Sequence, residues 1–291
     1  MSETNTGGRY PTRPLHPRFG LEIEGINLGA CSAEDIAFVR ELWVEHPVLL
    51  VRGQLLSERQ MMDFSANFGA LAQVVRKDIH SRKNPEITLI SNLKDQEGVG
   101  IGALSNDDLA WHTDQSYQRQ PATGAMLYAL EFPEGQGDTW WNNTALAWDD
   151  LDPTTQAELE GCKGHFAYQL YKGDITEDQR RQEIRTLTPD AIHPTVLTHP
   201  RTGQRNLYID PTQTFALEGL PPERADALLK ELKAHVTRGE YTYKHQWELG
   251  DVVLWDNARL LHRRDPFDPR QLRLMKRTTI VMNPADFPRP W

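Results

Sequence analysis

AWHTDQSY, residues 110–117, is the stretch on which the reading of this chain turns. In an extended strand, residues i and i+2 share a face. An extended WHTDQ therefore aims His112 and Asp114 at one metal ion and turns Thr113 away. The pair alone proves little. With 41 Asp and Glu in 291 residues, 10 histidines give about one His-x-acid by chance.

Its weight has to come from elsewhere in the chain. A two-His, one-carboxylate set suits non-haem Fe(II), because it leaves coordination positions open for co-substrate and O2. Among the remaining histidines, His16, His46, His193 and His199 lie in loops at or near prolines, and His235 sits near a helix end. His245 alternates within YTYKHQW and reads as a packing residue. His262 differs, since it follows the apolar strand in DVVLWDNARLLH and opens a basic segment. That segment holds Arg259, Arg263, Arg264, Arg270, Arg273, Lys276 and Arg277, opposed only by Asp265 and Asp268. It is either a solvated face or an anion site. On an extended strand Arg273 and Arg277 face the same way. Buried together they are costly without anions, so either they are exposed or the pocket holds anions.

The rest of the chain bounds the answer. A net charge of −9 argues against nucleic acid and anionic membranes as partners. No apolar run reaches membrane-span length, and the N-terminus lacks a signal-peptide core. Two cysteines, Cys31 and Cys162, make neither a disulfide framework nor a metal cluster, so a cytoplasmic location is expected. Residues 1–15 read as a flexible tail and 16–291 as one domain. CSAEDIAFVRELWVEH reads as a helix capped by Ser32 and Asp35, and LSERQMMDFSANFG as another capped by Ser57 and Gln60. PPERADALLKELKAHV is a third, and a charge-rich helical insertion covers about 174–187. Short strands follow residue 86, among them ITLIS, TGAMLYAL, RNLYID, DVVLWD and RTTIVM. The expected fold is mainly β with helical insertions, a sandwich or barrel.

Taken in order, WHTD, GDTWW, WDNARLLHRRD and RLMKRTTI resemble the taurine/2,4-dichlorophenoxyacetate dioxygenase (TauD/TfdA) family of Fe(II)- and 2-oxoglutarate-dependent oxygenases. The similarity extends to LHPRFGLEIEGINL and VLLVRGQLLSERQMMDFSANFG near the N-terminus. The resemblance implies a double-stranded β-helix, or jelly roll. It implies His112, Asp114 and His262 as iron ligands, and Thr139 and Arg273 as the holders of 2-oxoglutarate. Arg277 matches the arginine that takes the anionic head of a substrate, while Trp111 and Asn257 fall at motif positions with structural roles expected. The implied reaction consumes O2 and 2-oxoglutarate and releases succinate and CO2. An intact Asp114 points to hydroxylation or desaturation rather than halogenation. The implied substrate is a small carboxylate, sulfonate or natural-product intermediate, and the implied assembly a homodimer or homotetramer.

One position departs from the pattern. Where the taurine enzyme has an asparagine that contacts substrate, this chain has Asp108. Asp107 and Asp108 either meet a cationic group on the substrate or are solvated loop carboxylates. Substrate contacts are expected from loops 76–108 and 165–190, the second of them lid-like, and from aromatics such as Phe166, Tyr168, Tyr171 and Phe215 unless these are core. Two other classes stay open at this level: a non-catalytic jelly-roll protein that binds a metal or small anion, and a metal-dependent hydrolase.

Overall fold

In the computed structural model, which describes residues 8–73, 79–102, 104, 107–168 and 190–281, the apolar runs become two facing sheets. The larger has eight strands: β1 (Thr12–Pro14), β2 (Leu21–Ile23), β3 (Val48–Val51), β4 (Ala70–Leu71), β5 (Ile87–Ser91), β7 (Gly124–Glu131), β15 (Val252–Asp256) and β17 (Leu274–Val281). Their order is β1-β2-β3-β15-β7-β17-β4, with β5 also paired to β17. The smaller sheet runs β14 (Thr242–His245), β8 (Thr139–Asn143), β16 (Leu260–Arg264), β6 (Leu109–His112). Outside these, β9 (Lys163–Phe166) lies between β10 (Ala191–Pro194) and β13 (Thr214–Glu218), and β11 (Val196–Thr198) pairs with β12 (Arg205–Leu207). Within the two main sheets only β2–β3 is parallel. This is the jelly roll that the sequence implies.

The large sheet is covered on both faces, which explains why its strands are apolar throughout. Val48 and Leu50, Ala125 and Leu127, and Val253 and Trp255 point inward to pack with Trp141, Leu260 and Leu261 of the small sheet. Their neighbours Leu49 and Val51, Met126 and Tyr128, and Val252 and Leu254 face the other way. There they meet Val39 and Trp43 of α1 (Ala33–Glu45) and Met61 and Phe64 of α2 (Glu58–Ser65). Both helices start with the expected capping boxes, Ser32 with Asp35 and Ser57 with Gln60. Two short helices escaped the sequence reading, α3 (Thr144–Asp149) and α4 (Pro153–Glu158), capped by the side chains of Asn143 and Asp152. The predicted C-terminal helix is α5 (Pro222–His235), which buries Leu228 and Leu232.

Three expectations need revision or fall outside what is described. The predicted tail is not loose throughout, because Thr12–Pro14 pairs with Leu21–Ile23. The strand expected across WHTDQ stops at His112, and the chain turns immediately afterwards. The helical insertion at 174–187, most of the 165–190 segment, and residues 1–7 of the tail lie outside the described residues. No described helix is long and apolar enough to cross a membrane.

Candidate metal centre

Strand pairing, not chain proximity, brings the histidines together. His262 on β16 is the register partner of His112 on β6, and their rings lie 4.2 Å apart between centroids. Asp114 joins them from the turn after β6, where Gln115 adopts φ 57°, a left-handed conformation that few non-glycine residues take. The i, i+2 strand argument is therefore replaced by a strand end plus a turn. The outcome is the same, because one ligand atom from each of His112, Asp114 and His262 lies within 4.8 Å of the others.

His112 and Asp114 are each committed at one end and open at the other, whereas the buried Nδ1 of His262 has no hydrogen-bond partner among the described residues. The Ala110 carbonyl accepts from His112 Nδ1 at 2.8 Å, which leaves the Nε2 lone pair for a metal. Arg277 Nη1 donates to Asp114 Oδ1 at 2.9 Å. Asp114 Oδ2 is buried without a donor among the described residues and lies 3.9 Å from His262 Nε2. Burial alone raises the Asp114 pKa, but Arg277, His262 and His112 outweigh it and hold the carboxyl below its usual range. Burial, then the charge of His112, pushes His262 well below the ordinary histidine value. A carboxylate with one unpartnered oxygen beside a neutral imidazole is a donor set that fits a divalent ion with open positions.

Two arginines come from β17 and the residue before it, and Arg277 is the one that contacts the triad. Arg273 is 1% exposed; it donates to the Gly137 carbonyl at 2.7 Å and contacts Met275 Sδ at 3.2 Å. Gly137, at φ +67°, is what permits this approach, since an added Cβ would lie 2.7 Å from Arg273 Nη1. Burial pushes the Arg273 pKa down to about 9, with Arg264 adding repulsion and Asp138 opposing it, so the group is cationic at neutral pH. Arg273 precedes β17, and a register shift separates Leu274 from Met275, so even spacing on one strand is not what aligns it with Arg277. Among the described residues the buried Nε of Arg273 and the buried Nε of Arg277 have no acceptor. Arg277 has the chain's own Asp114 as one anion, whereas Arg273 makes no ion-pair contact with any described carboxylate.

Thr139 lies buried on β8, and its Oγ1 accepts from the Trp247 indole N–H at 3.0 Å. That bond uses one acceptor lone pair and leaves the hydroxyl hydrogen available to donate elsewhere. Trp247 was invisible as a site residue in the sequence, where YTYKHQW reads only as an alternating strand. Trp247→Phe keeps a ring and removes the donor. If Thr139 holds 2-oxoglutarate, as the family resemblance implies, the variant is expected to raise the concentration for half-saturation roughly two- to tenfold, the equivalent of about 0.5–1.5 kcal/mol for one hydrogen bond. Titrating the anaerobic Fe(II) protein with the keto acid checks this, and an unchanged midpoint would remove Trp247 from the site.

The rest of the basic segment is mostly structural. Arg259 is buried against Asp256 and the carbonyls of Trp43 and Val44. Arg263 stacks over Trp111 and Trp140, and Lys276 pairs with Glu58. Arg264 donates to the Asp107 carbonyl at 2.6 Å, and Asp108, exposed just before β6, acts electrostatically on the same guanidinium. Asn257 accepts from Trp255 Nε1 and, through its carbonyl, from Thr113 Oγ1. Phe166 is core and Phe215 is exposed, while Tyr171 lies outside the described residues. Tyr168 meets Tyr117 edge-on at 4.9 Å. Burial, followed by Tyr168, raises the Tyr117 pKa.

Comparison with known proteins agrees with this geometry. Residues 11–279 match the family described as Taurine catabolism dioxygenase TauD, TfdA family. The alpha-ketoglutarate-dependent 2,4-dichlorophenoxyacetate dioxygenase of Cupriavidus pinatubonensis is 34% identical over 92% of this chain and 96% of its own. An alkylsulfatase of Acinetobacter baylyi is 30% identical over 92% of this chain and 84% of its own. A crystal structure of a taurine dioxygenase from Burkholderia xenovorans superposes with a TM-score of 0.79 at 28% identity, covering 95% of this chain and 90% of that one.

Proposed function

The chain belongs to the TauD/TfdA family and is a 2-oxoglutarate-dependent dioxygenase using Fe(II) and O2; from this we propose that it oxidises an unactivated C–H of a small organic anion. Hydroxylation or desaturation is the outcome in this reading, with succinate and CO2 released. His112, Asp114 and His262 hold the iron, which supplies the oxidising chemistry when bound. Thr139 and Arg273 take the distal carboxylate of 2-oxoglutarate, as a hydroxyl and a guanidinium fork suit a dianion. Arg277 takes the anionic head of the substrate, and its bond to Asp114 keeps that head beside the ligand set. The two unpaired cysteines, Cys31 and Cys162, fit the reducing cytoplasm we assign to it.

One observation carries the anionic substrate: the guanidiniums of Arg273 and Arg277 each keep a buried Nε without an acceptor among the described residues, and one dianionic co-substrate accounts for only one of them. The names of the relatives, which include a dichlorophenoxyacetate dioxygenase and an alkylsulfatase, support the same class. The reading is tested by measuring succinate release with paired compounds that share an apolar body. Aryloxyacids, sulfonates and alkyl sulfates are expected to stimulate release and their neutral amide or alcohol analogues to leave it at background. Equal stimulation by the neutral partners would overturn the proposal.

A further inference from the structure

The turn that carries Asp114 is held from behind by a carboxylate far away in the chain. Asp210 is 0% exposed, and its two oxygens divide their work. Oδ1 accepts from its own turn, from Thr212 N at 2.8 Å and Gln213 N at 3.0 Å. Oδ2 accepts from the ligand turn, from Thr113 N at 3.1 Å and Ser116 Oγ at 2.9 Å. The same Asp210 turn reaches the other side of His112, where Thr212 Oγ1 donates to the Trp111 carbonyl at 2.9 Å. Thr113, between the two ligands, is pinned a second time by its hydroxyl on the Asn257 carbonyl at 2.6 Å. Positions 111, 113 and 116 are therefore anchored, while 112 and 114 point the other way into the metal cluster. Gln115 keeps a left-handed backbone inside this span, a conformation that persists only where its surroundings enforce it.

We propose that Asp210 is the positioning residue of the metal site, setting the orientation of His112 and Asp114 through the main chain that joins them. An ordinary turn-forming aspartate needs only the bonds on Oδ1. Those on Oδ2 serve the ligand turn, 97 and 94 residues away in sequence. The proposal rests on the triad as metal holder, so its test separates the two. Anaerobic Co(II) binding to the full chain is followed by its ligand-field spectrum, with thermal unfolding recorded in parallel. Binding that Asp114→Ala abolishes establishes the triad independently.

Asp210→Asn retains one oxygen but turns an amide N–H2 on the donors of the other side. It is expected to weaken Co(II) binding about 10- to 100-fold, the usual scale for losing an outer partner of a metal ligand. Its Co(II) spectrum is expected to change, since the ligand geometry is altered. Ser116→Ala removes one donor from Oδ2 and is expected to weaken binding severalfold while lowering the unfolding temperature no more than Thr214→Val does; it decides the matter if Asp210→Asn does not fold. Thr214→Val breaks only the bond from Asp210 N to Thr214 Oγ1, within Asp210's own turn. It is expected to lower stability and leave Co(II) affinity unchanged. Wild-type affinity in both Asp210→Asn and Ser116→Ala, or an equal loss of affinity in Thr214→Val, would overturn the proposal.

Discussion

Replacing Asp114 by alanine is expected to abolish substrate-dependent succinate formation, and metal binding with it. Asp114 is the anionic member of the donor set, and Arg277 lies directly on its Oδ1. Without the carboxylate, a divalent ion would meet two imidazoles and an uncompensated guanidinium. The local field then repels the ion it should hold. The loss should exceed the ~10–100-fold typical of outer partners of a metal ligand. Succinate assays and anaerobic Fe(II) binding measure it. An alanine variant that keeps appreciable activity would remove Asp114 from the centre.

Arg273→Ala should act differently, on the co-substrate rather than on the metal. The guanidinium is buried and cationic, and it meets a carbonyl and a thioether rather than a carboxylate. A carboxylate delivered there gains charge-assisted bonds at a site where desolvation is already complete. Truncating one partner of such a buried pair costs about 2–5 kcal/mol, which corresponds to roughly 30-fold or more in the 2-oxoglutarate concentration needed. Fe(II) affinity should stay near wild type, and activity should recover at high keto acid. An unchanged 2-oxoglutarate dependence would refute the assignment.

These expectations also show what local sequence can and cannot reveal. The strands were legible because DVVLWD and TGAMLYAL are apolar on both faces, and the capped helices because Ser32 with Asp35 and Ser57 with Gln60 are local signals. Family motifs brought His112, Asp114 and His262 into one hypothesis that spacing alone did not justify. What stayed hidden depends on contacts between distant residues. Arg277 meets Asp114 across 163 positions, Trp247 meets Thr139 across 108, and Asp210 meets Thr113 across 97. The turn after His112 was missed because a left-handed Gln115 carries no compositional mark of the kind glycine gives.

The place of β17 in the large sheet has a consequence for the order in which this enzyme becomes competent. All three triad residues lie before residue 264, but Arg273 and Arg277 belong to the last stretch of described chain. β17 is no edge strand: it inserts between β7 and β4, and it also carries β5. Until it emerges from synthesis, the eight-residue strand β7 has one side unpaired. Such an edge is a template for pairing with other chains. A nascent chain ending before residue 274 would contain a complete set of metal donors, with an open sheet and no Arg277 on Asp114. Docking of β17 covers the open side of β7 and delivers Arg277 to Asp114 in one event, so protection of that edge and the Arg277–Asp114 pairing arrive together.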